Sequence, residues 1–412
     1  MSFALVFHAV ILFVLLQTLA TIFVNFFLFR RVPRTATAAA DAPLISILVP
    51  ARNEETRLPR CLDSLLAQTY ARVEILVLDD HSTDGTSRVA LDRGFSSEGG
   101  ARLQLLRGRE LPAGWTGKAW ACHQLAQEAR GDYLLFTDAD TQHAPDGVSS
   151  TLAYAVEARA DLLSAWPRQI TKTWSERLVI PLIGLLILGF MPHLFLWLPQ
   201  RYPALARLIP PEWLRSLGGA NGQFLLFRRA AYDAIGGHEA VRDHLVEDVA
   251  IARLIAHRTR EGMRLINCDG SQIVSCRMYE NFSGVWEGFT KNLRAAFDER
   301  IGTFLGFGAM QFVCFFLPFA MICLPGRMGS WWTVAALEVV LIYAIRIILT
   351  LRLGTSWFSV ILHPFAQLFA LAIGFNSWRL SSGKGVSWKG RTYRMAASGV
   401  RTPNAEVRTN DK

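Results

Sequence analysis

The sequence predicts an α/β domain on a mostly parallel, doubly wound sheet, with transmembrane helices at its amino- and carboxyl-terminal ends. Three observations lead there. Short apolar runs of strand length alternate with helical stretches between about residues 43 and 140, the pattern of successive βαβ units. A polar or acidic cluster follows most of these runs at once. Long runs almost free of charge lie outside this region. With 51% of the 412 residues hydrophobic and 19% charged, the chain suits a domain of ordinary size joined to a few membrane segments.

Residues 1–29 are long and apolar enough to cross a bilayer. Arg30, Arg31 and Arg34 follow immediately, which by the positive-inside rule puts the amino terminus outside and the domain in the cytoplasm. A cleaved signal peptide carries its positive charge before a shorter apolar core, the reverse of this order. Residues 35–40, rich in alanine, read as a linker. Residues 44–49 (LISILV) read as a buried strand bounded by Pro43 and Pro50, with a turn at 50–55 and a helix to about residue 68. Residues 74–78 (EILVL) form a second strand ending at Asp79-Asp80, and residues 82–85 supply cap residues for another helix. A third strand at 103–106, a helix at 118–130 and a fourth strand at 133–136 lead to Asp138-Ala139-Asp140. Ligands of such sheets bind outside the carboxyl ends of the strands. Asn53-Glu54, Asp79-Asp80 and Asp138/Asp140 therefore converge on one rim.

Two carboxylates as close as Asp138 and Asp140 repel one another unless a cation lies between them. A hard ion, Mg²⁺ or Mn²⁺, shared with a diphosphate is the preferred reading; capping of the loop is the other. Asp79 and Asp80 suit a base N–H or a ribose hydroxyl, while Asp84 reads as a helix cap. Residues 114–118 (GWTGK) open a helix with glycines and Lys118, a setting that favours a phosphate without being a Walker loop. Glu247-Asp248 precedes an apolar helical stretch, where an acid is commonly a cap; the other reading is a general base that takes a proton from an acceptor hydroxyl, with Asp248 as the candidate.

The six cysteines include no C-x-x-C pair, so neither a disulfide framework nor a zinc knuckle is indicated. Cys122-His123 falls within the helix read at 118–130 and reads as packing, not as a nucleophile. The net charge of +9 comes without a basic helix of interleaved aromatics, which argues against nucleic acid. It suits lysines and arginines facing anionic head groups or a nucleotide diphosphate. Residues 178–198, interrupted by Pro181, Pro192 and His193, read as a membrane-apposed or re-entrant element, or else as a buried hairpin. Apolar runs at 301–324, 331–350 and 357–378 precede a basic tail with Arg379, Lys384, Lys389, Arg391 and Arg394. Glu338 and Arg346 lie within the second run, where charges face a bundle interior, though Arg346 has the length to snorkel. Three crossings would put the tail outside, so one run is expected to be interfacial or re-entrant, with His363-Pro364 as the break. The expected domains are thus an anchor at 1–34, the α/β domain at 35–300, membrane or interfacial helices at 301–380 and a cytoplasmic tail at 381–412.

Residues 50–55 (PARNEE), 79–86 (DDHSTDGT), 138–140 (DAD) and Glu247-Asp248 resemble, in order, the signatures of glycosyltransferase family 2. The likeness spans roughly residues 43–297. It implies a GT-A fold, an inverting mechanism and a nucleoside-diphosphate sugar donor, typically UDP-linked. It implies Pro50, Arg52, Glu54, Asp79, Asp80, Lys118 and Asp138 at the donor, Asp138 and Asp140 at the metal, and Asp248 with Glu247 in catalysis. Residues 114–121 (GWTGKAWA), 277–279 (RMY), 287–292 (EGFTKN) and 388–393 (WKGRTY) look like bacterial carotenoid and hopanoid-associated glycosyltransferases, the carotenoid branch more so. The Gln-x-x-Arg-Trp motif of processive synthases is missing, which argues against a polymer synthase. Lys291 and Arg294 stand near its place. They would neutralise a departing diphosphate, or face head groups from an amphipathic helix with Trp286 and Phe289 inward; both readings stand. The resemblance implies transfer to a hydroxyl or carboxyl of a lipophilic acceptor, most of all a carotenoid-type terpenoid, by a multi-pass protein of the bacterial inner membrane. The alternatives are a hopanoid, sphingolipid or glycerolipid acceptor, a membrane nucleotidyltransferase, or a non-catalytic scaffold.

Overall fold

The computed structural model describes residues 2–34, 42–297, 300–381, 386–388, 391–394 and 402–404. The linker read at 35–40, with Lys384 and Lys389 of the tail, lies outside the described residues. The chain divides into two compact units. An α/β unit takes Phe29–Ile170, Phe195–Met278 and Ser387–Lys412, and a helical unit takes Met1–Leu28, Thr171–Leu194 and Tyr279–Val386.

The α/β unit contains strands β1 (Ile45–Ala51), β2 (Val73–Asp79), β3 (Leu103–Arg107), β4 (Tyr133–Thr137), β5 (Thr141–His143), β6 (Leu162–Trp166), β7 (Arg168–Gln169), β8 (Phe224–Arg228), β9 (Leu265–Asp269) and β10 (Val274–Cys276). The main sheet has seven strands in the order β3-β2-β1-β4-β8-β6-β9. Neighbours pair in parallel except at β8, which is antiparallel to β4 and β6. Side chains alternate between the faces of each strand. Ile45, Ile47 and Val49 accordingly pack with Leu58, Leu62 and Leu65 in one core, and Leu48, Leu76 and Leu78 pack with Cys122, Leu125 and Ile251 in the other. Helices thus cover both faces, and every residue of β2 is buried. A smaller sheet, β5-β10-β7, begins directly after Asp140.

Pro50 was expected to end the first strand, yet β1 continues through Ala51. Pairing with β4 stops at Leu48↔Phe136, whereas pairing with β2 runs on to Ala51↔Asp79. At Pro50 the strand is an edge on one side, and the missing N–H breaks no ladder bond there. Behind the anchor, Val32 N donates to Asp269 O at 3.0 Å, Asp269 N donates to Arg30 O at 2.9 Å, and Arg31 Nε bonds Asp269 Oδ2 at 3.0 Å. Part of the basic flank therefore serves the α/β unit itself.

In the helical unit, Phe3–Leu28, Ile301–Ile322 and Trp331–Leu353 are each long and apolar enough to cross a membrane. Helix Trp174–Phe190 joins that class only when taken together with His193–Arg201, across the break at Pro192. That break leaves backbone carbonyls without helical partners, and Asn25 Nδ2 donates to two of them, Leu188 O at 2.9 Å and Met191 O at 2.8 Å. The run at 357–378 is broken into helices Phe358–Ile361 and His363–Ser381. Pro364 sits in the opening turn of the second, where no N–H is needed. Glu338 is fully buried and pairs with His8 Nδ1 at 2.8 Å. Arg346 does not snorkel: it is 1% exposed and donates to Ser359 Oγ at 2.7 Å and Pro181 O at 3.3 Å. Its two Nη groups thus find oxygens inside the unit, while Nε is buried without a hydrogen-bond partner.

Candidate active site

The loops after β1 and β2 are tied to each other. Asn53 Oδ1 accepts from Thr83 N at 2.8 Å, Asn53 N donates to Ser82 Oγ at 3.0 Å, and Glu54 N donates to Thr86 Oγ1 at 2.8 Å. Arg52 Nη1 donates to the Asp80 carbonyl, and Asp80 N to Ala51 O at 2.8 Å. Asn53 and His81 take positive φ values of 52° and 55°, a conformation asparagine tolerates better than most residues. Asp79 turns its carboxylate inward, accepting from Ser82 N at 2.9 Å and from the Ser87 hydroxyl. Asp84 accepts from Thr86 N at 3.0 Å and Glu55 N at 3.2 Å, the capping role read from the sequence. Asp80 and Glu54 are buried at the rim, and Glu54 lies 3.5 Å from Arg57.

β4 delivers Asp138 and Asp140 beside this rim. Lys118, on helix Gly117–Glu128, bonds Asp138 Oδ1 at 2.8 Å and Glu247 Oε1 at 2.9 Å. The loop before that helix is fastened to the segment before Glu247, with Thr116 N donating to Arg242 O at 2.7 Å and Thr116 Oγ1 to His244 O at 3.1 Å. Glu247 and Asp248 open helix Glu247–His257. Asp248 accepts from Gly222 N at 2.7 Å and from Val249 N at 2.8 Å.

The electrostatics follow from burial and crowding of like charge. Burial raises the Asp140 carboxyl to about 7, aided by the charges of Asp138 and Glu54 and opposed by a hydrogen bond with Cys276. Burial and Glu247 raise Asp248 to about 6, against Lys118 and the two backbone N–H groups. Burial works against the Lys118 ammonium, yet Asp138, Glu247 and Asp248 hold it firmly protonated. The Cys122 thiol, 2% exposed, is pushed up by burial and belongs to the core.

Asp140 Oδ1 is buried without a hydrogen-bond partner. An orphaned carboxylate oxygen beside Asp138 fits a hard cation. Among the described residues no group of three His, Cys, Asp or Glu could hold a metal by itself, so further oxygens would come from outside the chain. Lys291 and Arg294 belong to the helical unit, on helix Phe282–Ala295, where Arg294 N donates to Ser377 Oγ at 3.1 Å. Trp286 packs there against Phe282 and Phe369, and Phe289 against Tyr279.

Sequence reasoning passed over the loop before β8. A Cβ at Gly222 would stand 2.9 Å from Asp248 Oδ2 and 3.1 Å from Lys118 Nζ. The loop is pinned by Asn221 N to Ser164 Oγ at 2.9 Å and by Thr137 Oγ1 to Gln223 O at 2.8 Å. The signal was the run Gly218-Gly219-Ala220-Asn221-Gly222 ahead of an apolar strand.

The chain matches the model of glycosyl transferase family 2 over residues 46–236 and that of glycosyl transferase family 21 over residues 212–400. It is 27% identical over 372 residues to the 4,4'-diaponeurosporenoate glycosyltransferase of Staphylococcus aureus (strain N315), covering 88% of this chain and 92% of that protein. Of solved structures, the mannosyltransferase PcManGT from Pyrobaculum calidifontis, in complex with GDP-Man and Mn²⁺, aligns at 15% identity with a TM-score of 0.48, over 90% of this chain and 99% of that one. Glucosyl-3-phosphoglycerate synthase from Mycobacterium tuberculosis aligns at 18% identity and a TM-score of 0.39, over 66% and 88%. The mostly parallel sheet, its acidic rim and the family matches define an enzyme, a glycosyltransferase of the GT-A fold. Within that class the matched residues are similar to glycosyl transferase family 2 and, further along the chain, to glycosyl transferase family 21.

Proposed function

We propose that this protein transfers a sugar from a nucleoside-diphosphate donor, UDP-linked, to a hydroxyl or carboxyl of a lipophilic, carotenoid-type terpenoid, with inversion and with a divalent metal. One observation carries the reading: Lys118 bonds Asp138 and Glu247 together, so the acids after β4 and those opening helix Glu247–His257 share one locus. The acceptor class is supported by the name of the Staphylococcus relative and by apolar helices of membrane-crossing length.

Asp138 and Asp140 would hold the ion, which when bound supplies Lewis-acid neutralisation of a leaving diphosphate. Lys118 adds a fixed positive charge beside them, and Asp80 and Glu54 line the rim for the nucleoside. Asp248 takes the proton of an acceptor hydroxyl. The oxygen attacks the anomeric carbon from the face opposite the departing diphosphate, and the configuration inverts. An acceptor carboxyl is ionised near neutral pH, its ordinary value being about 4, and asks little of a base. The dependence on Asp248 therefore reports which group is glycosylated.

The same reading places the α/β unit at the cytoplasmic face. Arg30 and Arg31 follow the first apolar helix. Among the described residues, two helices of spanning length lie between the α/β segments and Arg391, which pairs with Asp80. An even number of crossings returns the tail to the side it left.

The test is turnover by the full chain in detergent, with UDP- and GDP-sugars and either 4,4'-diaponeurosporenoate or a hydroxylated carotenoid. The expected products are a nucleoside diphosphate and a glycosylated pigment in equal amounts. Release of pyrophosphate would assign a nucleotidyltransferase instead, and no donor turnover with any pigment or lipid extract would leave a scaffold.

A further inference from the structure

The tail motif at residues 388–393 (WKGRTY) has no part in the chemistry above. Arg391 opens strand Arg391–Arg394 and reaches back across 311 positions to Asp80. Nη1 donates to Oδ2 at 2.5 Å and Nη2 to Oδ1 at 3.0 Å, the two-pronged match of guanidinium to carboxylate. The side chains are only 15% and 7% exposed, so solvent screens the pair far less than it does a surface bridge.

Gly117, the first residue of helix Gly117–Glu128, makes room for this clasp. A Cβ there would collide with Nη1 of Arg391 and lie 3.3 Å from Asp80 Oδ2. The guanidinium thus rests at a helix amino terminus, one residue from Lys118. The helix dipole disfavours a cation at that end, and the Asp80 carboxylate offsets the cost. Without Arg391, Asp80 would be a buried, uncompensated negative charge on the rim where the proposed donor carries its own negative diphosphate.

We infer that Arg391 is a donor-positioning residue: from strand Arg391–Arg394 its guanidinium reaches the strand-end rim, where it fixes and neutralises Asp80 for the incoming nucleoside diphosphate. This rests on the reading of Asp80 as part of the donor site. Arg391 touches no reacting atom and acts through Asp80. Lysine supplies the charge without the fork, so Arg391→Lys should recover only part of the effect.

The experiment is donor and acceptor kinetics, with UDP binding by calorimetry, on full-length wild type, Arg391→Ala, Arg391→Lys, Gly117→Ala and Asp138→Asn. Arg391→Ala is expected to raise the donor KM and the UDP Kd at least about tenfold, as loss of one partner of a sheltered charge pair does. Acceptor KM and kcat should change much less. Gly117→Ala should do the same by evicting the guanidinium, while alanine favours the helix itself, so folding is preserved. Donor KM within about twofold of wild type in both variants, or a lowered donor KM, overturns the inference. So does a fall in melting temperature and kcat with donor KM unmoved, which marks a purely structural clasp. If wild type binds no UDP and turns over no nucleotide sugar, the donor-site reading falls and takes this inference with it. If wild type does both and Asp138→Asn does not, a null result at Arg391 and Gly117 removes this inference alone.

Discussion

Buried charge occurs in two regions of this molecule and is handled differently in each. At the strand-end rim, carboxylates crowd together: Asp138, Glu247 and Asp248 surround the ammonium of Lys118, and Asp140 lies beside Asp138 and Glu54. Two of them are raised well above the ordinary carboxylate range, Asp140 to about 7 and Asp248 to about 6. In the helical unit, each buried charged group is held by polar contacts of its own: Glu338 meets His8, which stacks on Trp331 with centroids 5.2 Å apart, and Arg346 meets the neutral oxygens of Ser359 and Pro181. Surplus charge of one sign prepares a site to receive a ligand of the other sign. Charge answered by its neighbours holds helices together. Burial alone, common to both regions, distinguishes nothing.

The largest effect expected is that of Asp248→Asn. With a hydroxyl acceptor, kcat should fall about 10²- to 10⁴-fold, the usual worth of a general base, with nucleotide binding retained. With a carboxylate acceptor the loss should be far smaller. Near-normal turnover of a hydroxyl acceptor would leave Asp248 a structural role, tying the loop at Gly222 to the start of helix Glu247–His257. Next is Asp140→Asn, expected to lower kcat about 10²- to 10³-fold, as loss of one electrostatic stabiliser does, and to weaken Mn²⁺ binding read by titration calorimetry. Chelation of wild type should abolish turnover and added Mn²⁺ restore it; full activity in excess chelator would remove the metal from the reading.

The pH profile comes third. A base must be ionised to act, and Asp248 holds its proton up to about 6. With a hydroxyl acceptor, kcat should be level above about pH 7 and fall about tenfold per unit below about 6. Asp248→Asn should erase that limb. The smallest effect belongs to the helical unit: Glu338→Gln keeps shape but removes the carboxyl that bonds His8. It should cost about 1 kcal/mol of stability, in line with polar contacts between membrane helices, and leave donor KM unchanged. If it abolished turnover at unchanged melting temperature, the contrast between the two regions would break.

Much of this could be read in one dimension. A β-branched run closed by an acid names both a strand and the chemistry at its end, because covalent neighbours stay neighbours. β1, β2 and β4 were therefore legible with their motifs and β3 as a strand without one, while the break in the run at 357–378 falls one residue before His363-Pro364. Direction and partnership were not legible. Nothing local in residues 224–228 (FLLFR) says that β8 runs against its neighbours, since an apolar strand reads the same either way. Asp79 and Asp80 look equivalent in sequence, yet Asp79 serves its own loop and Asp80 meets Arg391.

Alone, the sequence determined the alternation of strands and helices, the acids at the strand ends and the apolar runs long enough for a membrane. These follow from periodicity and adjacency, which act over a few residues. The tertiary structure decided that Asp138 and Glu247 share Lys118, that Gly222 borders Asp248 and Lys118, that Arg346 is buried rather than snorkelled, and that residue 391 answers residue 80. Those are contacts between segments far apart in the chain. They depend on how the packed sheet and helices bring side chains within a few ångströms, and no local pattern encodes that distance.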